Sequence, residues 1–375
     1  MEIKLNKTDF LKRIQKVQAV TERKHTLPIL ANVVMTAASD GLCTFLATDL
    51  EVSIKDVMPV EVIEPGQIAV SAKKLFEILR ELPEATVSFK TLENDWVKIE
   101  CGHSMFQLMG LPAAQFPPLP PFDHIALTSA EPERLSLMLA KTVYAAGTDE
   151  NRIILNSILY LLEEEYTRIV TTDGHRLALI QWPHDEPRNE APLKVIISLK
   201  AVKELRRMLT EGTGAFRFGW DTANLVFMRG DQYVETMIAK ITEGDYPDYN
   251  MVIPSSFKYH ARVPRDATMA LLRRVALMAD ERSRGVSLIF RPGMLEVKAQ
   301  SVEMGQARDE IQVEYEDEQI KIGFNYVYLM DALKVIDTDY AWLMFSDGGR
   351  PVMITTDGDL PYLYKAIVMP MTLKD

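Results

Sequence analysis

Three strand-to-helix passages recur along the chain: "QIAVSAKKLFEILREL", "KVIISLKAVKELRRML" and "IKIGFNYVYLMDALKVI". In each, an apolar run meets a small polar residue able to cap a helix of 3.6-residue periodicity. Those residues are Ser71, Ser198 and Asn325, separated by two equal intervals of 127 residues. A second helical segment opens each third: "KTDFLKRIQKV", "EPERLSLMLAKTV" and "PRDATMALLRRVALM". Alternating strand text follows each one, and each third closes in proline-bearing text, "LPAAQFPPLP", "DYPDYNMVIP" and "AIVMPMTLKD". Self-similarity at a fixed spacing marks a repeat architecture. The chain is therefore expected to be α+β, with three repeated domains at 1–125, 126–253 and 254–375. Each would pack two helices on antiparallel sheets, with exposed linkers near Phe122–Leu127 and Pro254–Lys258.

The repeat allows charge to be assigned by element. The six helical segments hold 17 Lys and Arg against 9 Asp and Glu, whereas the whole chain has 42 against 53 and a net charge of −11. In the first segment Phe10, Leu11, Ile14 and Val17 form the apolar stripe, leaving Lys12, Arg13 and Lys16 outside it. In the fourth, Leu199, Val202, Leu205 and Leu209 face inward, and Lys200, Lys203, Arg206 and Arg207 are expected outward. Basic helices on one face of an acidic body would bind a phosphate backbone without regard to sequence. The acidic remainder would keep nucleic acid off the other surfaces.

Other classes have little support. Only Cys43 and Cys101 are present, without a CxxC, and the six histidines lack ligand spacing, so no metal or cofactor is expected. Two isolated cysteines in strand-like text suit buried thiols in a cytoplasmic protein. No apolar run approaches the roughly 20 residues needed to cross a bilayer.

The densest polar knot is "VTTDGHRLAL", residues 170–179. A catalytic reading, a metal-dependent hydrolase or nuclease, would make His175 a general base oriented by Asp173, with Thr172 as nucleophile. Against it, Asp173–Gly174 is a D-G pair between alternating apolar runs, a hairpin signal. "ATDLE" at 47–51 places Asp49 in the corresponding position without a histidine. The turn is expected to belong to the repeat and to do no chemistry.

With "TLPIL" at 26–30, "ATDLE" at 47–51, "TDGHRLA" at 172–178, "YPDY" at 246–249, "GFN" at 323–325 and "VMPM" at 368–371, the chain resembles the bacterial DNA polymerase III β subunit family, the replicative sliding clamps. The resemblance implies DNA-clamp domains that close into a six-domain ring as a homodimer, with the helices lining a central hole. Such a ring encircles double-stranded DNA and confers processivity without chemistry of its own.

By the same resemblance Lys24 and Lys73 are DNA contacts, and loop 148–154 is a DNA-touching loop in which Arg152 keeps the charge. In that loop Asp149 replaces a neutral polar residue, and Ile153 and Ile154 replace tyrosines of the best-known member. The helix count adds Lys200, Lys203 and Arg207 as DNA contacts. A groove for short linear peptides of polymerase, clamp loader and repair proteins would use Leu155, Thr172, Gly174, His175, Arg176, Leu177, Pro247, Val252, Val368, Met369, Pro370 and Met371. At the dimer interface Lys74 and Phe106 would face Leu277 and Met278, with Glu303, Asp309 and Glu310 nearby. The family often ends in Arg-Leu, whereas this chain ends Thr372, Leu373, Lys374, Asp375.

Overall fold

The computed structural model describes residues 1–21, 27–187, 192–232, 234–301 and 303–373. The six helices anticipated from periodicity are present: α1 Lys7–Gln18, α2 Ala72–Glu81, α3 Pro132–Thr142, α4 Leu199–Glu211, α5 Arg265–Val275 and α6 Tyr326–Lys334. Ser71, Ser198 and Asn325 each stand immediately before one of them. The Ser71 side chain accepts from the Lys74 amide and Asn325 accepts from Val327, satisfying donors that a helix start leaves open. None of the helices is long and apolar enough to cross a membrane.

The described residues form two compact units, Met1–Ser136 with Lys200–Ile241, and Leu137–Leu199 with Thr242–Asp375. The middle third contributes to both, and sheet pairing explains why. The first unit holds a 13-stranded antiparallel sheet in which Val52–Pro59 pairs with Glu235–Lys240, in register from Val52↔Ala239 to Lys55↔Thr236. The second holds an eight-stranded and a four-stranded sheet. In the eight-stranded one, Arg176–Pro183 pairs with Leu363–Val368, joining the middle of the chain to its end. Hydrogen bonding thus runs across the repeats rather than stopping at them.

Cores lie under the helices. Phe10, Ile14 and Val17 of α1 are fully buried, with the Phe10 ring against Phe45 and Phe89, while Leu11 is half-buried. Each such fully buried large side chain contributes roughly 1.5–3 kcal/mol. Cys43 and Cys101 are free and buried, and burial pushes the Cys43 thiol up to about 12. The first expected linker is exposed at Asp123, His124 and Ala126 and covered at Ile125. Ile125 is buried against Val226 and Ile238, with Leu119, Phe122 and Leu127 packed beside it, because its apolar residues find a sheet to cover. In the second linker Ser255 and Ser256 are exposed, but Phe257 packs on the core.

A buried ion-pair cluster ties α1 and α4 to the sheet of the first unit. The Glu235 carboxylate, 4% exposed, accepts from Lys16 Nζ at 2.6 Å and pairs with Arg207. Arg13 and Lys16 also share the fully buried Asp56, and Arg207 meets Glu204. Arg207 was expected outward; its side chain is 16% exposed, because three carboxylates surround it. Burial works to raise Glu235, and the charges of Arg207 and Lys16 more than reverse this, so it titrates below ordinary glutamate. Burial pushes Glu204 the other way.

The signs follow. A depressed carboxyl stabilises the fold above its unfolded pKa, and this is lost as pH falls through the folded value; the raised Glu204 contributes in the opposite sense. Glu235→Gln should lower unfolding free energy at neutral pH by about 2 kcal/mol, since two buried cations lose the carboxylate they share while Lys16 keeps Asp56 and Arg207 keeps Glu204. Denaturant unfolding from neutral pH to below the glutamate range should show the acid-side loss in the parent shrink in the variant.

Candidate functional site

The Thr172–Arg176 turn is built from the same hydrogen bonds as Thr48–Val52. Asp173 Oδ1 accepts from the amides of His175 and Arg176 at 2.9 and 3.0 Å, and Asp49 Oδ1 accepts from Glu51 and Val52 at 2.9 and 2.7 Å. Thr172 Oγ1 donates to the Arg176 carbonyl and accepts from the Gly174 amide; Thr48 Oγ1 does the same with Val52 and Leu50. The third residue has positive φ in both copies, +93° at Gly174 and +74° at Leu50. These are Asx-turn bonds, and they occupy the atoms that a catalytic reading needs. The remaining Asp173 oxygen takes Arg176 Nε at 3.0 Å, so it does not orient His175. The His175 ring is exposed and stacks on Tyr328 at 6.4 Å. Among the described residues no group of three His, Cys, Asp or Glu could hold a metal ion.

Several predicted groove residues do meet around this turn. The Met369 amide donates to the His175 carbonyl at 3.0 Å, and Arg176 and Leu177 pair with Val368 and Ile367. Tyr246 locks the connector to the turn strand: its hydroxyl accepts from the Thr172 amide and donates to the Val170 carbonyl. Leu177 lies in a cluster with Leu159, Val170, Leu179, Met353 and Ile367, capped by half-buried Ile154, Tyr246, Tyr249, Ile253, Phe257 and Met344. Val252 and Met369 are exposed, with Pro370 and Met371 half-buried. Leu177 is fully buried and forms floor rather than accessible wall; Val368 is also buried but pairs with Arg176, on the opposite face of the sheet. The packing onto this cluster comes from Ile154, while Leu155 is half-buried with its carbonyl bound to the Gly147 amide. Pro247 lines an adjoining cleft of about 310 Å³, with Tyr166, Arg168 and Lys194, that shares Leu159, Leu161, Tyr246 and Tyr249 with this cluster.

Arg176, expected among the groove residues, is held by its own chain. Its guanidinium bonds Asp173 and, at 2.5 Å, Asp331, and lies over the rings of Tyr328 and Tyr144 at 4.6 and 5.5 Å. It links the turn to α6. Tyr246, Tyr328 and Asp331 were not assigned from sequence; Tyr246 stood in the quoted "YPDY", but its partner is 74 residues away.

The predicted phosphate contacts divide similarly. Lys73 and Lys203 are exposed, Lys73 with Glu77 four residues on. Arg152 is exposed in its loop, 3.9 Å from Asp149, and Ile153 beside it is 61% exposed. Lys200 pairs with the buried Asp49 of the repeated turn, and Arg207 belongs to the ion-pair cluster. Lys24 lies outside the described residues.

Several strands end a sheet among the described residues, and two edges bear on the expected interface. In Ser104–Leu111 only Gly110 and Leu111 are paired on the side away from Trp96–Cys101, and Met105, Phe106 and Met109 are exposed along it. Gly305–Gln312 ends the four-stranded sheet. Near that edge Leu277 is 73% exposed in the short turn after α5, Met278 is half-buried, and Asp309 accepts from Arg274 at 2.6 Å. Lys74 is exposed with Glu77.

Profiles of the DNA polymerase III beta subunit match along the chain: N-terminal domain over residues 1–120, central domain over 130–248 and C-terminal domain over 250–372. The chain is 31% identical to the beta sliding clamp of Pseudomonas putida over 377 residues, covering 100% of both. It is 31% identical to that of Escherichia coli over 374 residues, again covering 100% of both. Among solved structures, the DNA polymerase III subunit beta of Pseudomonas aeruginosa superposes with a TM-score of 0.91 at 30% identity, and the Bacillus subtilis sliding clamp with 0.92 at 27%. Both cover the full length of each chain. The chain belongs to the bacterial DNA polymerase III β subunit family, the beta sliding clamps.

Proposed function

We propose that two copies of this chain close head to tail into a ring that encircles duplex DNA and tethers the replicative polymerase and other DNA-processing proteins. The domains would be 1–125, 126–253 and 254–375. One observation supports the reading beyond family membership: among the open strand edges, Ser104–Leu111 is apolar and Gly305–Gln312 is rimmed with charge, so the two are unlike. Edges of this kind are liabilities unless another strand covers them. Contact between Ser104–Leu111 of one copy and Gly305–Gln312 of another is heterologous and closes when the rotation fits. Lys74 and Phe106 then face Leu277 and Met278, with Glu303, Asp309 and Glu310 beside them. The ring works by topology rather than by catalysis, in the cytoplasm with the rest of the replication machinery.

Held by topology, the protein needs only weak, sequence-independent contacts with DNA. Lys73, Arg152 and Lys203 are the exposed candidates, joined by Lys24. Lys200 and Arg207 act mainly through the fold. The peptide groove is the margin around Val252, Met369, Pro370 and Met371, with Thr172 and His175 at its polar end. Methionine suits a surface that accepts many ligands, since its unbranched chain repacks easily. An extended peptide carrying Leu or Phe would bury its anchor there.

The direct test is retention: protein loaded on a nicked circular plasmid should stay bound through gel filtration and leave once the plasmid is linearised. Equal retention on both forms would sink the ring. Leu277→Ala with Met278→Ala should give monomers at micromolar concentration by sedimentation, because truncating central apolar anchors removes most of an interface's energy. Reversing Lys73, Arg152 or Lys203 should each remove about one unit from the salt slope of DNA binding. Arg207→Gln should instead lower stability and leave that slope nearly unchanged.

A further inference from the structure

The last described residues do not hang free of the sheet. The Met371 amide donates to the Gly323 carbonyl at 2.9 Å, extending the strand Ile320–Asn325 by one contact. Gly323 pairs with Ser287, and Gly285 pairs with Asn325, so the two glycines are diagonal neighbours on one face of the four-stranded sheet. Side chains two residues apart on a strand point the same way, so two adjacent bare positions leave a trough. Leu373 fills it. A Cβ at Gly285 would overlap Leu373 Cδ2 and stand 3.6 Å from Met371 Sδ. One at Gly323 would overlap the Met371 carbonyl and come within 2.9 Å of Leu373 Cγ. Neither glycine has positive φ, so the backbone does not demand glycine at either position. At Gly323 the tail backbone takes the space, and at Gly285 the Leu373 side chain takes it and would have to move to admit a Cβ.

We infer that Leu373 is a positioning residue: seated between Gly285 and Gly323, it clamps the C-terminal tail so that Met369, Pro370 and Met371 stand as a fixed wall of the peptide groove. The tail has three fastenings, the Met369 amide on His175, the Met371 amide on Gly323, and the Leu373 side chain in the trough. The first two are single hydrogen bonds near the surface. The third buries apolar surface and holds the other two in register. The departure from the family's ending, with Thr372 before Leu373, leaves this anchor in place. The inference rests on the peptide groove proposed above.

The test uses the full-length dimer and a fluorescent extended peptide bearing Leu and Phe near its end. Gly285→Ala and Leu373→Ala should each weaken peptide binding by about tenfold, because affinity falls with the fraction of molecules whose tail is seated. The two changes act on one contact, so the double variant should be no weaker than Leu373→Ala alone. Hydrogen exchange at the Met369 and Met371 amides should accelerate in both single variants while dimer mass and unfolding midpoint stay at parent values.

Unchanged exchange at those two amides would overturn the inference, whatever the peptide does. So would parent-level peptide binding by both variants when Val252→Glu, a change in the groove itself, abolishes it. Failure of the peptide to bind the parent, or normal binding by Val252→Glu, counts against the groove and leaves the exchange result to decide the tail anchor.

Discussion

Backbone hydrogen bonding between strands of different repeats is what the rest of the molecule depends on. Val52–Pro59 with Glu235–Lys240, and Arg176–Pro183 with Leu363–Val368, each turn two would-be edges into a continuous sheet. Antiparallel pairing of this kind fixes register, because a one-residue slip would carry each strand's apolar set to the wrong face. The second junction also fixes the site. It sets the repeated Thr-Asp turn beside the end of the chain, and everything proposed for the groove follows from that adjacency.

The turn illustrates how one motif can hold different cargo. In its first copy the buried aspartate receives Lys200, and Leu50 takes the left-handed backbone that glycine adopts more easily. In its second copy the aspartate receives Arg176, glycine occupies the strained position, and a histidine stands exposed at the tip. The hydrogen bonds are the same; only the groups presented differ. That is why the second copy looks like an active site in sequence although its polar atoms are spent on holding the turn.

What was legible in the sequence was local. Caps at Ser71 and Asn325, helical periodicity and the D-G turn involve residues within a few positions of one another, and each is found as expected. What was hidden was long-range. Lys16 meets Glu235 across 219 residues and Arg176 meets Asp331 across 155, so both cations read as surface charge until the chain is folded. Arg207 lay between: Glu204 sits three residues before it, spacing that places both on one helix face. The two compact units were also invisible, since strand text does not say which partner it will choose. Of the proposed groove, the methionines and the turn could be named, whereas the tyrosine clasp on Thr172 could not.

The ion pairing of the helices bears on friction. A cation already satisfied by a carboxylate gains little from any one phosphate, so its attraction to a passing duplex is shallow and varies little with position. Arg13, Lys16 and Arg207 are all in that condition. A tunnel lined this way would present a smooth potential, with few deep wells to climb out of at each base-pair step. On the ring reading, the same buried carboxylates that hold the helices down would also set how easily the protein travels.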